Sequence, residues 1–283
     1  VPREVEPVKE ILLEAQQLCY HYEEGRLALD HVSAAIHRGE RLAVLGSNGA
    51  GKSTFFLCCN GVLRPQGRLL YRGRPVDVAR KKDRMELRRR VGIVFQEPDN
   101  QIIAPTVRAE ISFGPLNLGL GEEQAGRQTD RAMEAMGLTA YAQRAPQYLS
   151  GGEKKRVTIA DVLAMEPEII LLDEPAASLD PAGAAQLEQT LDVLHRQGIA
   201  LVVSTHDVDF AYRWAQRCLV FCGGRILAEG PLEAIFDRPE VVEQARLRQP
   251  TLYRVAKALG LPKEEGWPKG IEELEQRLGG GQI

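Results

Sequence analysis

The chain has 283 residues, of which 44% are hydrophobic and 27% charged, and a formal net charge of -3 at pH 7. That size and balance suit one large α/β domain with appendages and a sizeable core, and the slight acidity argues against a nucleic-acid binder. No apolar run reaches the length of a bilayer span and Val1-Pro2-Arg3-Glu4 carries no hydrophobic signal core, so a transport role would need a membrane pathway from another chain.

In chain order, the segment up to about Arg41, together with Gly67 to Arg72, reads as short strands and turns. The apolar run Leu42-Ala43-Val44-Leu45 leads into GSNGAGKST and then Phe55-Phe56-Leu57, a strand, a glycine loop and a helix start. Arg80-Lys81-Lys82 and Arg88-Arg89-Arg90 read as a solvated helix face that could also meet lipid headgroups. Val91 to Phe95 is a second buried-strand pattern, followed by turns and helices to Gln147, with Glu122 to Met136 the clearest helix. Ser150-Gly151-Gly152 opens an amphipathic helix over Glu153 to Met165. Lys154-Lys155-Arg156 exposes charge near its start, and Val157, Ile159, Ala160, Leu163 and Ala164 form its apolar face. Ile169 to Leu172 and Ile199 to Thr205 are continuous apolar runs of the kind a parallel strand buried on both faces requires. Cys218 to Phe221 and Arg225 to Ala228 form a hairpin around Gly223-Gly224. Short helices then follow at Val241 to Arg248, Leu252 to Leu259 and Ile271 to Leu278, separated by Pro250, Pro262 and Pro268, and the terminal glycines from Gly279 to Gly281 read as disordered. The expected division is a main unit over residues 1–240 and a helical extension over 241–283.

The chemistry is concentrated at a few points. Gly46-Ser47-Asn48-Gly49-Ala50-Gly51-Lys52-Ser53-Thr54 matches the phosphate-loop pattern GxxxxGK[ST] in its required context. Its glycines let backbone N–H groups point at a polyphosphate, Lys52 supplies a mobile cation for the β and γ phosphates, and the Ser53 hydroxyl suits Mg²⁺. Asp173 and Glu174 stand at a strand's carboxyl end, where ligands bind in open α/β sheets. Asp173 would hold Mg²⁺ and Glu174 would act as general base, the plain alternative being that one acid caps the following segment. One phosphate loop leaves Ser150-Gly151-Gly152-Glu153 unexplained. That cluster is either a helix cap or a second anion site. Five cysteines without a CxxC pair and five scattered histidines make no disulfide or metal framework.

Phosphate loop, Leu149-Ser150-Gly151-Gly152-Glu153 and Leu171-Leu172-Asp173-Glu174, in this order, resemble the ATP-binding cassette ATPases. The resemblance runs from about Ile11 to Pro239. It implies a P-loop nucleoside-triphosphatase core with an antiparallel β subdomain and a helical subdomain at about 97–165, ATP and Mg²⁺ as cofactors, and a head-to-tail dimer sandwiching two ATP molecules. In such a dimer the Ser150 to Glu153 signature binds the γ-phosphate held by the partner's loop. Tyr22 stands where the family stacks an aromatic ring on adenine, with Tyr20 a substitute and simple strand packing the alternative. Gln96 resembles the glutamine that touches Mg²⁺ and water and links the core to the transporter surface; an exposed loop glutamine is the plain reading. Ser178-Leu179-Asp180 resembles the loop that crosses the dimer interface, and Asp180 before Pro181 is also a helix N-cap pattern. His206 resembles the switch histidine that holds the γ-phosphate and Glu174 in line. Ala176, Glu153 and Ser178 depart from the commonest family residues without removing a phosphate, metal or base contact.

Glu97-Pro98-Asp99-Asn100-Gln101-Ile102, Glu110-Ile111, Phe113-Gly114-Pro115, Asn117 to Leu120 and Thr251-Leu252-Tyr253-Arg254 resemble the cobalt-type ATPases of energy-coupling-factor importers. That implies a peripheral protein on the cytoplasmic face of the membrane, paired with itself or with a sibling ATPase. Its further partners would be a transmembrane coupling subunit and a membrane subunit for Co²⁺, Ni²⁺ or a vitamin. Another cassette transporter, a soluble cassette ATPase of repair or translation, and a binding-only cassette are the alternatives; the last fits poorly because Glu174 and His206 are both present.

Overall fold

The computed structural model describes residues 10–23, 25–177, 179–262 and 266–279. The expected signal-free start, Ser178 and the end of the terminal glycine run lie outside them. The first elements are β1 (Ile11–His21), β2 (Leu27–His37), β3 (Arg41–Leu45), α1 (Lys52–Cys59), β4 (Gln66–Tyr71), β5 (Arg74–Pro75), α2 (Lys81–Arg90) and β6 (Val91–Val94). A helical stretch follows with α3 (Val107–Asn117), α4 (Glu122–Ala135) and α5 (Gly151–Leu163). The chain continues through β7 (Ile169–Asp173), α6 (Pro181–Arg196), β8 (Ala200–Thr205), α7 (Val208–Trp214), β9 (Arg217–Cys222) and β10 (Arg225–Gly230). It ends in α8 (Leu232–Phe236), α9 (Pro239–Gln244), α10 (Thr251–Ala258) and α11 (Ile271–Gly279).

Two sheets organise these elements. The larger has the order β10-β9-β3-β8-β7-β6, and β3, β6, β7, β8 and β9 run parallel within it. The smaller is antiparallel, in the order β2-β1-β4-β5. Every residue of β7 and β8 is buried, as continuous apolar runs require when both faces are covered. The period-2 geometry of a strand then divides the core. Leu42, Val44, Ala200 and Val202 face α1 and the small sheet, packing with Phe55, Phe56, Leu18 and Val32. Ala43, Leu45, Leu201 and Val203 face the other way, among residues of α5, α6 and α7. Each such fully buried leucine or valine contributes roughly 1.5–3 kcal/mol.

Several local expectations change. The amino-terminal strands β1 and β2 are long, 11 residues each, because they pair along most of their length. Helix α5 begins at Gly151, two residues before the expected start, because Ser150 caps it. Lys155 does not contribute to an exposed charged face: it is 3% exposed, and its neighbours are backbone carbonyls. In the extension, Tyr253 is fully buried between Tyr212 and Phe236, and Asp209 on α7 accepts from Thr251 N at the start of α10.

One buried ion pair ties the two sheets together. Arg217 of β9 donates through Nε to Glu40 Oε1 at 2.6 Å and through Nη2 to Glu40 Oε2 at 3.0 Å and Ala35 O at 2.6 Å. Burial works against the Glu40 carboxylate, but the Arg217 guanidinium and the His37 N–H outweigh it and hold the group below its usual range. Glu40→Ala removes the two-pronged partner of the Arg217 guanidinium, leaving it Ala35 O and Glu229, and should cost about 2 kcal/mol in denaturant unfolding. Because the folded pKa is lowered, the advantage of wild type over Glu40→Gln should be full above the ordinary carboxylate range. It should shrink as pH falls through the lowered folded value.

Candidate functional site

The carboxyl ends of β3, β7 and β8 lie side by side, with Leu45 opposite Thr205 and Asp173 opposite Ser204. This register gathers the glycine loop, the acidic pair and His206 at one edge of the sheet. A cleft of about 330 Å³ opens there, lined by Asn48 to Thr54, Asp173, Glu174, Gln96 and Tyr22. The loop's path depends on its glycines at two points. Gly46 has φ of +148°, and a Cβ there would lie 2.5 Å from Phe221 O; Gly51 has φ of +110°, and a Cβ there would lie 2.7 Å from Ala28 O. No side chain could be accommodated at either position. Helix α1 has Gly51 as its N-cap, with no side-chain cap and no acid in its first turn, which leaves its partial positive charge directed at the cleft.

Lys52 is 6% exposed and donates from Nζ to Gly46 O at 2.7 Å and Ser47 O at 3.3 Å, with Glu174 Oε1 at 3.7 Å. Glu174 is 8% exposed and divided in its contacts. Its Oε2 accepts from His206 Nδ1 at 2.9 Å, whereas Oε1 is buried with no hydrogen-bond partner among the described residues. Its backbone sits in the left-handed region at φ +41°, fastened by its N–H to Ser204 O and Ser204 Oγ at 3.1 Å each. A non-glycine residue there is strained, and strain of this kind gathers at functional sites. Ser204 also donates from its hydroxyl to Asp173. It thus orients both acids, a role that sequence reading missed although the hydroxyls of Ser204 and Thr205 at the end of an apolar strand were visible. Ser53, Gln96 and Asp173 offer hard oxygen atoms, and among the described residues no cysteine or histidine lines the cleft, a donor set that fits Mg²⁺.

Tyr22 lines the cleft, half-exposed, with its hydroxyl 3.1 Å from Thr54 Oγ1 and its ring edge-on to Tyr20 at 5.1 Å. Tyr20 does not line it. Arg26, Leu27 and Ala28 do, and nothing in their spacing marked them. Gly46, Ser47 and His206 stand beside the cleft without lining it.

The signature lies elsewhere. Ser150, Gly151, Gly152, Glu153, Arg156 and Asp180 share a separate depression of about 790 Å³. Ser150 N donates to Glu153 Oε2 at 2.7 Å and Glu153 N to Ser150 Oγ at 3.3 Å, a reciprocal capping box. The Ser150 N–H and the Tyr141 hydroxyl hold the Glu153 carboxyl below its usual range. The cap reading set beside the anion reading is therefore correct as structure. Gly152 has a second property: a Cβ there would meet nothing within 4 Å, so the chain's own packing does not demand a glycine. Asp180 is the N-cap of α6, accepting from Gly183 N at 2.7 Å. The fold also brings Cys19, Asp30 and His31 together across β1 and β2, which their spacing did not suggest, but Asp30 is already engaged by His31 and Arg225.

Comparison with known proteins agrees with this geometry. Residues 29–177 match the family model described as ABC transporter. The energy-coupling factor transporter ATP-binding protein EcfA of Methanocaldococcus jannaschii is 42% identical over 264 residues, covering 92% of this chain and 94% of that one. EcfA2 of Methanospirillum hungatei is 46% identical over 251 residues, and there the aligned region spans 88% of this chain but only 63% of the relative's length. Among solved structures, cbiO1 from Clostridium perfringens, described as part of the ABC transporter complex cbiONQ, superposes with a TM-score of 0.74 at 37% identity, covering 88% of this chain and 100% of that one. By its matching family model and its relatives, this chain belongs to the ABC transporter family, as one of its ATPase cassettes.

Proposed function

We propose that the chain is the ATP-hydrolysing subunit of an energy-coupling-factor type importer, working in a pair of cassettes that hold two ATP molecules between them. The observation that carries hydrolysis is Glu174 Oε1, a buried carboxylate oxygen that ion-pairs with Lys52 Nζ at 3.7 Å beside the glycine loop but has no hydrogen-bond partner among the described residues. An oxygen held only by a long ion pair has a lone pair left for a ligand in the cleft, and an attacking water would donate to it and then give up its proton. In this reading Lys52 exchanges its bonds to Gly46 O and Ser47 O for β- and γ-phosphate oxygens, while amides of residues 46 to 54 neutralise the remaining charge. His206 orients Glu174 and reaches the γ-phosphate. Mg²⁺, when bound by Ser53, Gln96 and Asp173, neutralises charge that builds on the transferring phosphoryl group. Tyr22 stacks on adenine.

Gly151 and Gly152 present the amino end of α5 to the nucleotide of a neighbouring cassette, identical or sibling, with Asp180 at the same face. The openness around Gly152 supports this, since an approaching phosphate would need that space. A membrane partner fits the surface beyond Gln96, where Ile103 is 72% and Phe113 50% exposed on the segment leading into and through α3. Among the described residues no helix is long and apolar enough to cross a membrane, which suits a peripheral subunit at the cytoplasmic face. The cargo is Co²⁺, Ni²⁺ or a vitamin, bound by a separate membrane subunit. The cassette unit is assigned to residues 1–240 and the extension to 241–283.

In steady-state assays of the full chain, Glu174→Gln should lower turnover about 100-fold or more while leaving ATP binding intact; turnover within about twofold of wild type would contradict the general-base role. Lys52→Ala should instead weaken nucleotide affinity roughly tenfold or more, measured by calorimetry or fluorescence titration. Phe113→Asp with Ile103→Asp should abolish co-purification of the membrane subunits from cells that express the whole importer.

A further inference from the structure

Lys155 stands four residues past Gly151 and is almost fully buried. Burial pulls its ammonium down to about 8. Its hydrogen-bond partners are carbonyls, while the nearby Glu97 and Asp173 carboxylates act on it through charge alone. Nζ donates to Phe95 O at 3.0 Å and Gln96 O at 2.7 Å, carbonyls just past the carboxyl end of β6. Two further links cross the same gap. Lys154 Nζ pairs with Asp99 Oδ1 at 2.7 Å. The Gln101 amide accepts from Phe95 N at 3.1 Å and donates to Thr158 O at 3.3 Å and Asp161 Oδ2 at 3.2 Å. Below them the Val162 side chain of α5 packs directly on the Gly92 backbone of β6, where a Cβ on Gly92 would lie 2.0 Å from Val162 Cγ1.

The segment 95–101 is therefore fastened to α5 from both of its ends, to Lys154 and Lys155 in the first half of the helix and to Thr158 and Asp161 in the second. We infer that Lys155 is a positioning residue: it fastens the Gln96 backbone to the signature helix, so that Gln96 in one cleft moves with the Ser150 to Glu153 face that meets the nucleotide of the other. A displacement of the amino end of α5 either carries residues 95–101 with it or leaves a buried ammonium without its carbonyls, and the second course is the costly one. Each cassette thus reads, through its own Gln96, whether its signature is engaged. The inference rests on the proposed function, in which Gln96 and the signature serve two different nucleotides.

The test is a double-mutant cycle on the full-length chain, read as kcat, KM for Mg·ATP, nucleotide affinity and Tm. Lys155→Met, which keeps an unbranched chain one atom shorter but removes every donor, should lower kcat about tenfold with KM and affinity within about twofold. Lys155→Gln, a neutral donor, should recover most of that loss, staying within about threefold of wild type. Lys155→Met combined with Gln96→Ala should be no slower than Gln96→Ala alone, because the lysine acts through the glutamine. Additive losses, or a lowered Tm with kcat unchanged, would overturn the inference. Should Lys155→Met not fold, Lys155→Ala takes its place in the cycle, with the same loss and the same non-additivity expected. A wild-type chain that binds ATP but does not turn it over would instead sink the proposed function.

Discussion

Where parallel strands end decides almost everything at this site. β3, β8 and β7 are neighbours, paired in register from Leu42 opposite Val202 to Asp173 opposite Ser204, and both faces of each strand are buried. Main-chain hydrogen bonds of such a ladder tolerate no slip, because a shift of one residue would turn every apolar side chain to the opposite layer. The glycine loop, the two acids and His206 are therefore delivered to one edge at fixed spacing. Ser204 refines the delivery by bonding to Asp173 and to the Glu174 N–H, which holds the glutamate in its left-handed backbone conformation.

The division between cleft and signature follows from the same architecture. Helix α5 packs against β6, so the amino end of α5 carries its glycines to a surface that shares no lining residue with the cleft. In the proposed function these two elements serve different nucleotides. Residues 46 to 54 would hold the triphosphate of their own cassette, Gly151 and Gly152 would face that of a neighbour, and pairing cassettes is the arrangement that would use both.

How much of this could be read from residues alone differs by kind. Local signals were strong where backbone chemistry is local: the strand, glycine loop and helix at Leu42 to Leu57, the buried runs of β7 and β8, the hairpin of β9 and β10, and the cap at Asp180 all appear as expected. Long-range pairings were not legible. Lys155 looked like one of three surface charges because helical periodicity says which residues share a face, not that a strand end supplies carbonyls to the middle one. Arg26 and Ala28 reach the cleft only because β2 pairs with β1 beneath the loop. The length of β1 and β2 was underestimated because strand length depends on the partner. The start of α5 was misplaced by two residues because glycines read as loop, whereas the capping box of Ser150 and Glu153 holds them in the first turn.

The central claim is that the triphosphate sits between the strand ends of one cassette and the signature of another. The most direct measurement is a structure of the chain, alone and with its sibling ATPase where one exists, trapped with Mg·ADP and orthovanadate. The account predicts the vanadate against Lys52, Glu174 and His206 and, from the opposite side, within hydrogen-bond reach of the amides at Gly151 and Gly152 of a second cassette. Vanadate bound in a single cassette, with every neighbouring signature far from it, would contradict the account.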